Sequence, residues 1–137
     1  MSASERPLPV PDLYTAPYWT GAALGELRII RCHSCQFYIH PPRPACPRCM
    51  SEDVGATAVS GNGSVYSFSV MHNPGNPGFD HQLPYAVVVV ELDEQPGLFT
   101  IANIGNVTPA QISIGMPVRV VFERVDGVVL PQFEAVL

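Results

Sequence analysis

Four cysteines are the residues with the clearest chemistry in this sequence. Cys32-His33-Ser34-Cys35 and Cys46-Pro47-Arg48-Cys49 are two CxxC pairs separated by ten residues. Two cysteines at this spacing turn their sulfurs to one point in a tight loop. Two such loops facing each other make a tetrahedral thiolate cage suited to zinc, with Zn–S near ~2.3 Å. A closed shell of four thiolates leaves no coordination position for a reacting water, so the expected Zn2+ is structural. His33 and His40 lie close enough in sequence to replace a cysteine. A rubredoxin-type iron and a pair of redox dithiols are the other uses of the same residues. A redox CxxC opens a helix in an α/β unit, whereas proline and strand-forming residues surround these pairs.

Other catalytic patterns are missing from the sequence. Gly63-Ser64-Val65 lacks the frame of a nucleophile elbow, and no phosphate-cradling glycine loop is present. Glu91 and Asp93 follow a strand-like run and read as its solvated end. The metal takes all four thiols. The segment from Asn73 to Pro84, NPGNPGFDHQLP, reads as an exposed excursion carrying Phe79, His81 and Gln82. Either it is a connection that tucks Phe79 against the protein, or it touches a partner or ligand.

The formal net charge of the 137 residues is −5, and all seven basic residues are arginines. That balance disfavours a protein held to nucleic acid through its phosphates. Arg28, Arg31, Arg43 and Arg48 lie in or beside the cysteine region, and a local basic patch there is the alternative to scattered solvated charge. Hydrophobic residues make up 47% and charged residues 14%, enough to build a core and to leave apolar surface for a partner. No apolar run approaches the ~20 residues of a membrane span. The N-terminus has no basic start followed by an apolar stretch. A cytoplasmic protein is expected, in which thiols stay reduced and favour metal over disulfides.

The elements that must position the cysteines are legible around them. Residues 1–10 are polar and proline-rich, and are expected to be a flexible N-terminus. Asp12 is placed to cap a helix carrying Leu13, Tyr18 and Trp19 towards one face, with Pro17 at its start or at a kink. Leu27–Arg31 reads as a strand entering the first cysteine pair. Pro41, Pro42, Pro44 and Pro47 exclude a regular helix between the pairs. Beyond Gly55 come five strand-like segments: 64–72, 85–92, 98–104, 118–123 and 128–136. Turn residues bound each one, and Asp126-Gly127 is a strong hairpin signal. Five strands without a long helix among them predict a small closed barrel. The domain expectation is residues 11–55 for helix and metal ribbon and 56–137 for the barrel.

Taken in order, these pieces resemble the DUF35 family, in which a rubredoxin-like zinc ribbon precedes an OB-fold barrel. The resemblance covers residues 11–137. It rests on the aromatic stretch Pro17–Trp19, Glu26-Leu27, Tyr38 with Pro41-Pro42-Arg43, Cys46-Pro47, and Ser60-Gly61-Asn62-Gly63. It continues through Pro84-Tyr85, Glu91-Leu92-Asp93, Ile114 to Val118, and Phe133. Met50 is a departure, since glycine is common there. The expected fold is mainly β: an N-terminal helix, a rubredoxin-like zinc ribbon and a C-terminal five-stranded OB-fold barrel. The resemblance implies a non-catalytic accessory subunit of a thiolase-superfamily acyl-CoA enzyme, a thiolase or a retro-aldolase of steroid side-chain degradation. An α2β2 complex with a thiolase-like subunit, which carries the catalytic groups, is the implied assembly. Tyr14, Tyr18, Trp19, Arg43, Phe79, His81 and Tyr85 are the candidate contacts to that partner or to acyl-CoA. The rival readings are a single-stranded nucleic-acid binder using Tyr66 and Phe68 as stacking platforms, and a self-sufficient thioester enzyme with His72 or His81 as base.

Overall fold

A computed structural model describes residues 7–73 and 83–136. Phe79 and His81 lie outside the described residues. The chain begins with a short helix, α1 (Ala16–Ala23), followed by strands β1 (Leu27–Cys32), β2 (Tyr38–Ile39) and β3 (Val54–Val59). These three form one antiparallel sheet in the order β2-β1-β3. The remaining strands are β4 (Asn62–Met71), β5 (Tyr85–Leu92), β6 (Phe99–Gly105), β7 (Pro117–Val125) and β8 (Val128–Ala135). They close into a barrel in the order β4-β5-β6-β8-β7. Closure is made by Asn62–Ser64 of β4 against Arg119–Pro117 of β7. The parallel pairs Ile104↔Phe133 and Gly105↔Glu134 join β6 to β8.

The expected fold is therefore found. The valine-rich run of β5 alternates as the pleat requires: Ala86, Val88, Val90 and Leu92 are buried, and their neighbours are half-buried. Val65, Leu98, Val118 and Phe133 complete the barrel core, to which Leu27 and Ile29 of β1 also belong. Fully burying each such side chain stabilises the fold by roughly 1.5–3 kcal/mol. A bulge between Val65 and Ser67 shifts the phase of β4. Val65 points into the core and Tyr66 outward, while past the bulge Phe68 is the residue packed on the core. Tyr66 meets Phe99 of β6, ring centroids 4.5 Å apart. At the β7–β8 turn Asp126 and Gly127 both take left-handed φ, 50° and 83°, as a type I′ hairpin demands.

Two details differ from the sequence reading. Asp12 does not cap the helix. Its Oδ1 accepts hydrogen bonds from the backbone of Tyr14 and Thr15 at 2.9 and 2.8 Å, forming a turn before α1, whose N-cap is Thr15. Leu13 accordingly lies outside the helix and is 83% exposed rather than sharing a face with Tyr18. Strand β3 was not expected. It pairs with β1 over six residues, from Leu27↔Val59 to Cys32↔Val54.

Candidate functional site

Each CxxC pair is a knuckle built by its own backbone. The Cys32 amide donates to Phe37 O at 2.9 Å, and the Gln36 amide to Cys32 O at 2.9 Å. The second knuckle repeats both bonds one cysteine pair later: Cys46 N to Ser51 O at 2.8 Å, and Met50 N to Cys46 O at 2.8 Å. In both, the residue after the second cysteine is left-handed, Gln36 at φ 70° and Met50 at φ 67°. The amides of Cys35 and Arg48 point at Cys32 Sγ and Cys46 Sγ, 3.5 and 3.4 Å away. The two knuckles are tied together by the Ser34 and Ser51 hydroxyls at 2.9 Å and by His33 with Asp53. The latter pair meets twice, through His33 N to Asp53 O at 2.8 Å and through Nδ1 and Oδ1 at 2.9 Å. His33 is thus held by a carboxylate and is not among the clustered sulfur ligands.

The result brings all four sulfurs within 4.8 Å of one another. Cys32 lies 3.5 Å from Cys49, and Cys35 lies 3.7 Å from Cys46. A regular tetrahedron with Zn–S of ~2.3 Å has edges of about 3.8 Å, so these two pairs already stand close to it and the remaining separations need close by about 1 Å at most to receive zinc. All four cysteines are free. The Cys35 amide, with further help from its neighbours, draws the Cys32 thiol down to about 6. On Cys49 the Ser51 amide acts in the same direction, but the adjoining sulfurs outweigh it and push that thiol up to about 12. Four sulfurs this close cannot all be anionic in isolation. A divalent cation removes that conflict, which is the chemistry of a structural zinc site.

A second arrangement lies between ribbon, helix and barrel. Tyr18 of α1 stacks on His40, just past β2, at 5.5 Å and 25°, and meets Trp19 edge-on at 4.8 Å. The Tyr18 hydroxyl bonds with Thr100 of β6. Burial raises this phenol above its ordinary range, and the Thr100 bond offsets only part of that. Burial alone holds the His40 imidazole below its ordinary value, and its Nδ1 has no hydrogen-bond partner. Beside these rings runs a groove of about 610 Å³, floored by Val89, Phe99 and Ile101 and edged by Thr15 and Pro41-Pro42. A second hollow of about 320 Å³ shares Tyr18, Trp19 and Ile101 with it and extends to Tyr85, Leu130 and Pro131.

The candidate contacts fall in different places. Tyr18, Trp19 and Tyr85 line the two hollows. Tyr14 is 49% exposed before the helix. Arg43 is exposed and borders a small recess with Phe37 and Gln95. Three other ribbon arginines are engaged locally: Arg28 with Glu26 at 2.9 Å, Arg31 over the Tyr38 ring at 4.4 Å and Arg48 over Phe37 at 5.6 Å. Glu91 is also taken, accepting from the Gly97 amide at 2.9 Å. The sequence reading missed Val89, Phe99, Thr100 and Ile101, which read only as strand residues. Among the described residues no helix is long and apolar enough to cross a membrane.

A zinc ribbon joined to a five-stranded OB-type barrel defines the class. Comparison with known proteins agrees. Family models described as the ChsH2 rubredoxin-like zinc ribbon domain and the ChsH2 C-terminal OB-fold domain match residues 19–55 and 56–123. The chain belongs to the DUF35 family. It is 36% identical to a chain of a solved structure named Ltp2-ChsH2(DUF35) aldolase, covering 95% of this chain and 100% of that one at a TM-score of 0.86. It is 41% identical over 113 residues to a probable enoyl-CoA hydratase alpha subunit of Thermomonospora curvata, covering 82% of this chain and 34% of the relative. It is 37% identical over 108 residues to the 3-oxo-4,17-pregnadiene-20-carboxyl-CoA hydratase alpha subunit of Mycobacterium tuberculosis, covering 79% of this chain and 33% of the relative. The chain therefore spans about a third of the length of these two curated relatives.

Proposed function

We propose that this protein is a cytoplasmic, non-catalytic accessory subunit of a thiolase-superfamily acyl-CoA enzyme, a thiolase or retro-aldolase acting in steroid side-chain degradation. The observation that carries this reading is its end-to-end likeness to the DUF35 chain named with Ltp2 as an aldolase. The pregnadiene-carboxyl-CoA hydratase relative supports a steroid acyl-CoA. The site chemistry is consistent. Cys32, Cys35, Cys46 and Cys49 hold one zinc ion that fixes the ribbon and has no position free for a substrate. The thiolase-like partner supplies the nucleophile and the acid and base, in an α2β2 assembly. Tyr14, Tyr18, Trp19, Arg43 and Tyr85 are the candidate contacts to partner or acyl-CoA among the described residues, with Phe79 and His81 as further candidates.

Co-expression with the thiolase-like protein encoded nearest to it tests this. The expected result is a single heteromeric species in size-exclusion chromatography with multi-angle scattering, and acyl-CoA turnover only when both chains are present. Two separate monodisperse peaks, or a partner equally active alone, would overturn it.

A further inference from the structure

The groove beside α1 is unusual in its chemistry. The seventeen residues along it and its continuation give no charged side chain among the described residues, although charged residues make up 14% of the chain. Its lining carries the rings of Tyr18, Trp19, His40 and Phe99 together with the aliphatic Val89 and Ile101. Of the polar atoms nearby, the Tyr18 hydroxyl is engaged by Thr100 and the Thr15 hydroxyl by the Asp12 amide at 2.9 Å, while the buried His40 Nδ1 is a single uncharged polar atom without a partner. About 610 Å³ is the size of a small-molecule site, for which the range is roughly 300–1,000 Å³. Nothing here could neutralise a phosphate or carboxylate, and the four aromatic rings in the lining favour a ring-bearing hydrocarbon over a flexible chain.

We propose that this groove binds the uncharged, ring-bearing hydrocarbon end of an acyl-CoA, not its nucleotide end. The apolar ligand class rests on the groove itself, and its identity as an acyl group rests on the accessory-subunit reading. The groove then holds the hydrocarbon while the thioester remains outside it, free to reach another subunit. Its continuation past Trp19 and Ile101 gives a longer fused-ring system room to extend.

Trp19 is the single tryptophan of the chain and lines the groove, so its fluorescence reports occupancy directly. The zinc-loaded full chain, without partner, is titrated with androst-4-ene-3,17-dione, 1-decanol and coenzyme A. A saturable change with the steroid, weaker binding of decanol and no response to coenzyme A are expected. Ile101→Asp, at a position 69% exposed and so tolerant of charge, should weaken steroid binding about tenfold or more. Val89→Phe, which fills the floor, should do the same. No saturable change with the steroid, or unchanged affinity in both variants, overturns the proposal. So does loss of thiolase pairing in Ile101→Asp with no steroid binding in the parent, which would make the groove a protein docking face. Steroid binding to a chain that pairs with no thiolase would support the groove and sink only the accessory-subunit reading.

Discussion

The carboxamide of Gln95 makes with Tyr38 the two hydrogen bonds that a neighbouring strand would make: its Oε1 accepts from Tyr38 N at 2.9 Å, and its Nε2 donates to Tyr38 O at 3.1 Å. Tyr38 ends the ribbon sheet as part of β2, and Gln95 sits in the turn between β5 and β6. One side chain therefore closes a sheet edge and joins ribbon to barrel. Gln95→Ala leaves both backbone groups of Tyr38 half-buried without partners, a loss of about 1–3 kcal/mol. Urea unfolding should show it as a lower midpoint. An unchanged midpoint would mean that water replaces the carboxamide without penalty.

Zinc should be present at one ion per chain by mass spectrometry of the native protein, and Cys46→Ser should lose it. Structural zinc contributes roughly 10–16 kcal/mol in small finger peptides, more than a short ribbon can replace by packing. Strong chelation should therefore abolish amide protection in residues 32–54 while the β5 and β8 amides stay protected. Uniform loss across the chain would instead make the ribbon inseparable from the barrel. Acid should release the metal as well, because each thiolate must take up a proton to let go.

Met50 occupies a left-handed position at φ 67°, where a side chain is strained by about 1–2 kcal/mol. The side chain is 75% exposed and offers little packing in return. Met50→Gly should hold zinc at least as tightly in a competition assay with a chromophoric chelator. Met50→Ile, branched at Cβ, should hold it more weakly. The reverse order would show that Met50 contributes through contacts rather than tolerating its backbone.

The cage and the barrel were legible because their signals are local. A CxxC repeat, β-branched runs and Asp126-Gly127 each state their geometry within a few residues. Strand β3, by contrast, reads Val-Gly-Ala-Thr-Ala-Val and has no pattern of its own. It is a strand because β1 offers it an edge. The aromatic groove was illegible for a related reason. Thr15, His40, Val89 and Ile101 are each unremarkable in their own segment, and only the packing of helix and ribbon on the paired Val89 and Ile101 of β5 and β6 brings them together. His40 is the plainest case: in the sequence it is only a minor alternative to a cysteine ligand, and nothing there announces that it packs against Tyr18. The Gln95 clamp left no trace in a turn that reads simply as Gln-Pro-Gly.

The turn into the barrel depends on two glycines. A Cβ on Gly63 would stand 2.5 Å from the backbone oxygen of Glu91, and one on Gly61 would collide with the Val120 side chain at a φ of 82°. The first obstacle is backbone in a ladder, Gly63↔Leu92 and Ser64↔Glu91, and cannot swing aside. Gly63→Ala should thus push β5 from β4 at the closure of the barrel and yield mostly insoluble protein or a midpoint lowered by several °C. Normal yield and stability would show that the ladder can shift there at little cost.

His40 gives the fold a pH dependence whose direction follows from its burial. The imidazole is held below its ordinary value because the buried ring resists a charge. An unfolded chain protonates the same ring near ~6.5. As pH falls below that point the unfolded state takes up a proton that the folded state refuses, so stability declines, and it goes on declining until the folded ring also protonates. His40→Phe keeps a flat partner for Tyr18 but removes the titration. Urea midpoints at pH 7.5 and 5.5, both with zinc saturating, should differ more for the parent than for His40→Phe. The thiolate contribution is common to both proteins and cancels in that comparison. Equal differences would mean that the ring is reached by water and carries a proton in the fold as readily as outside it.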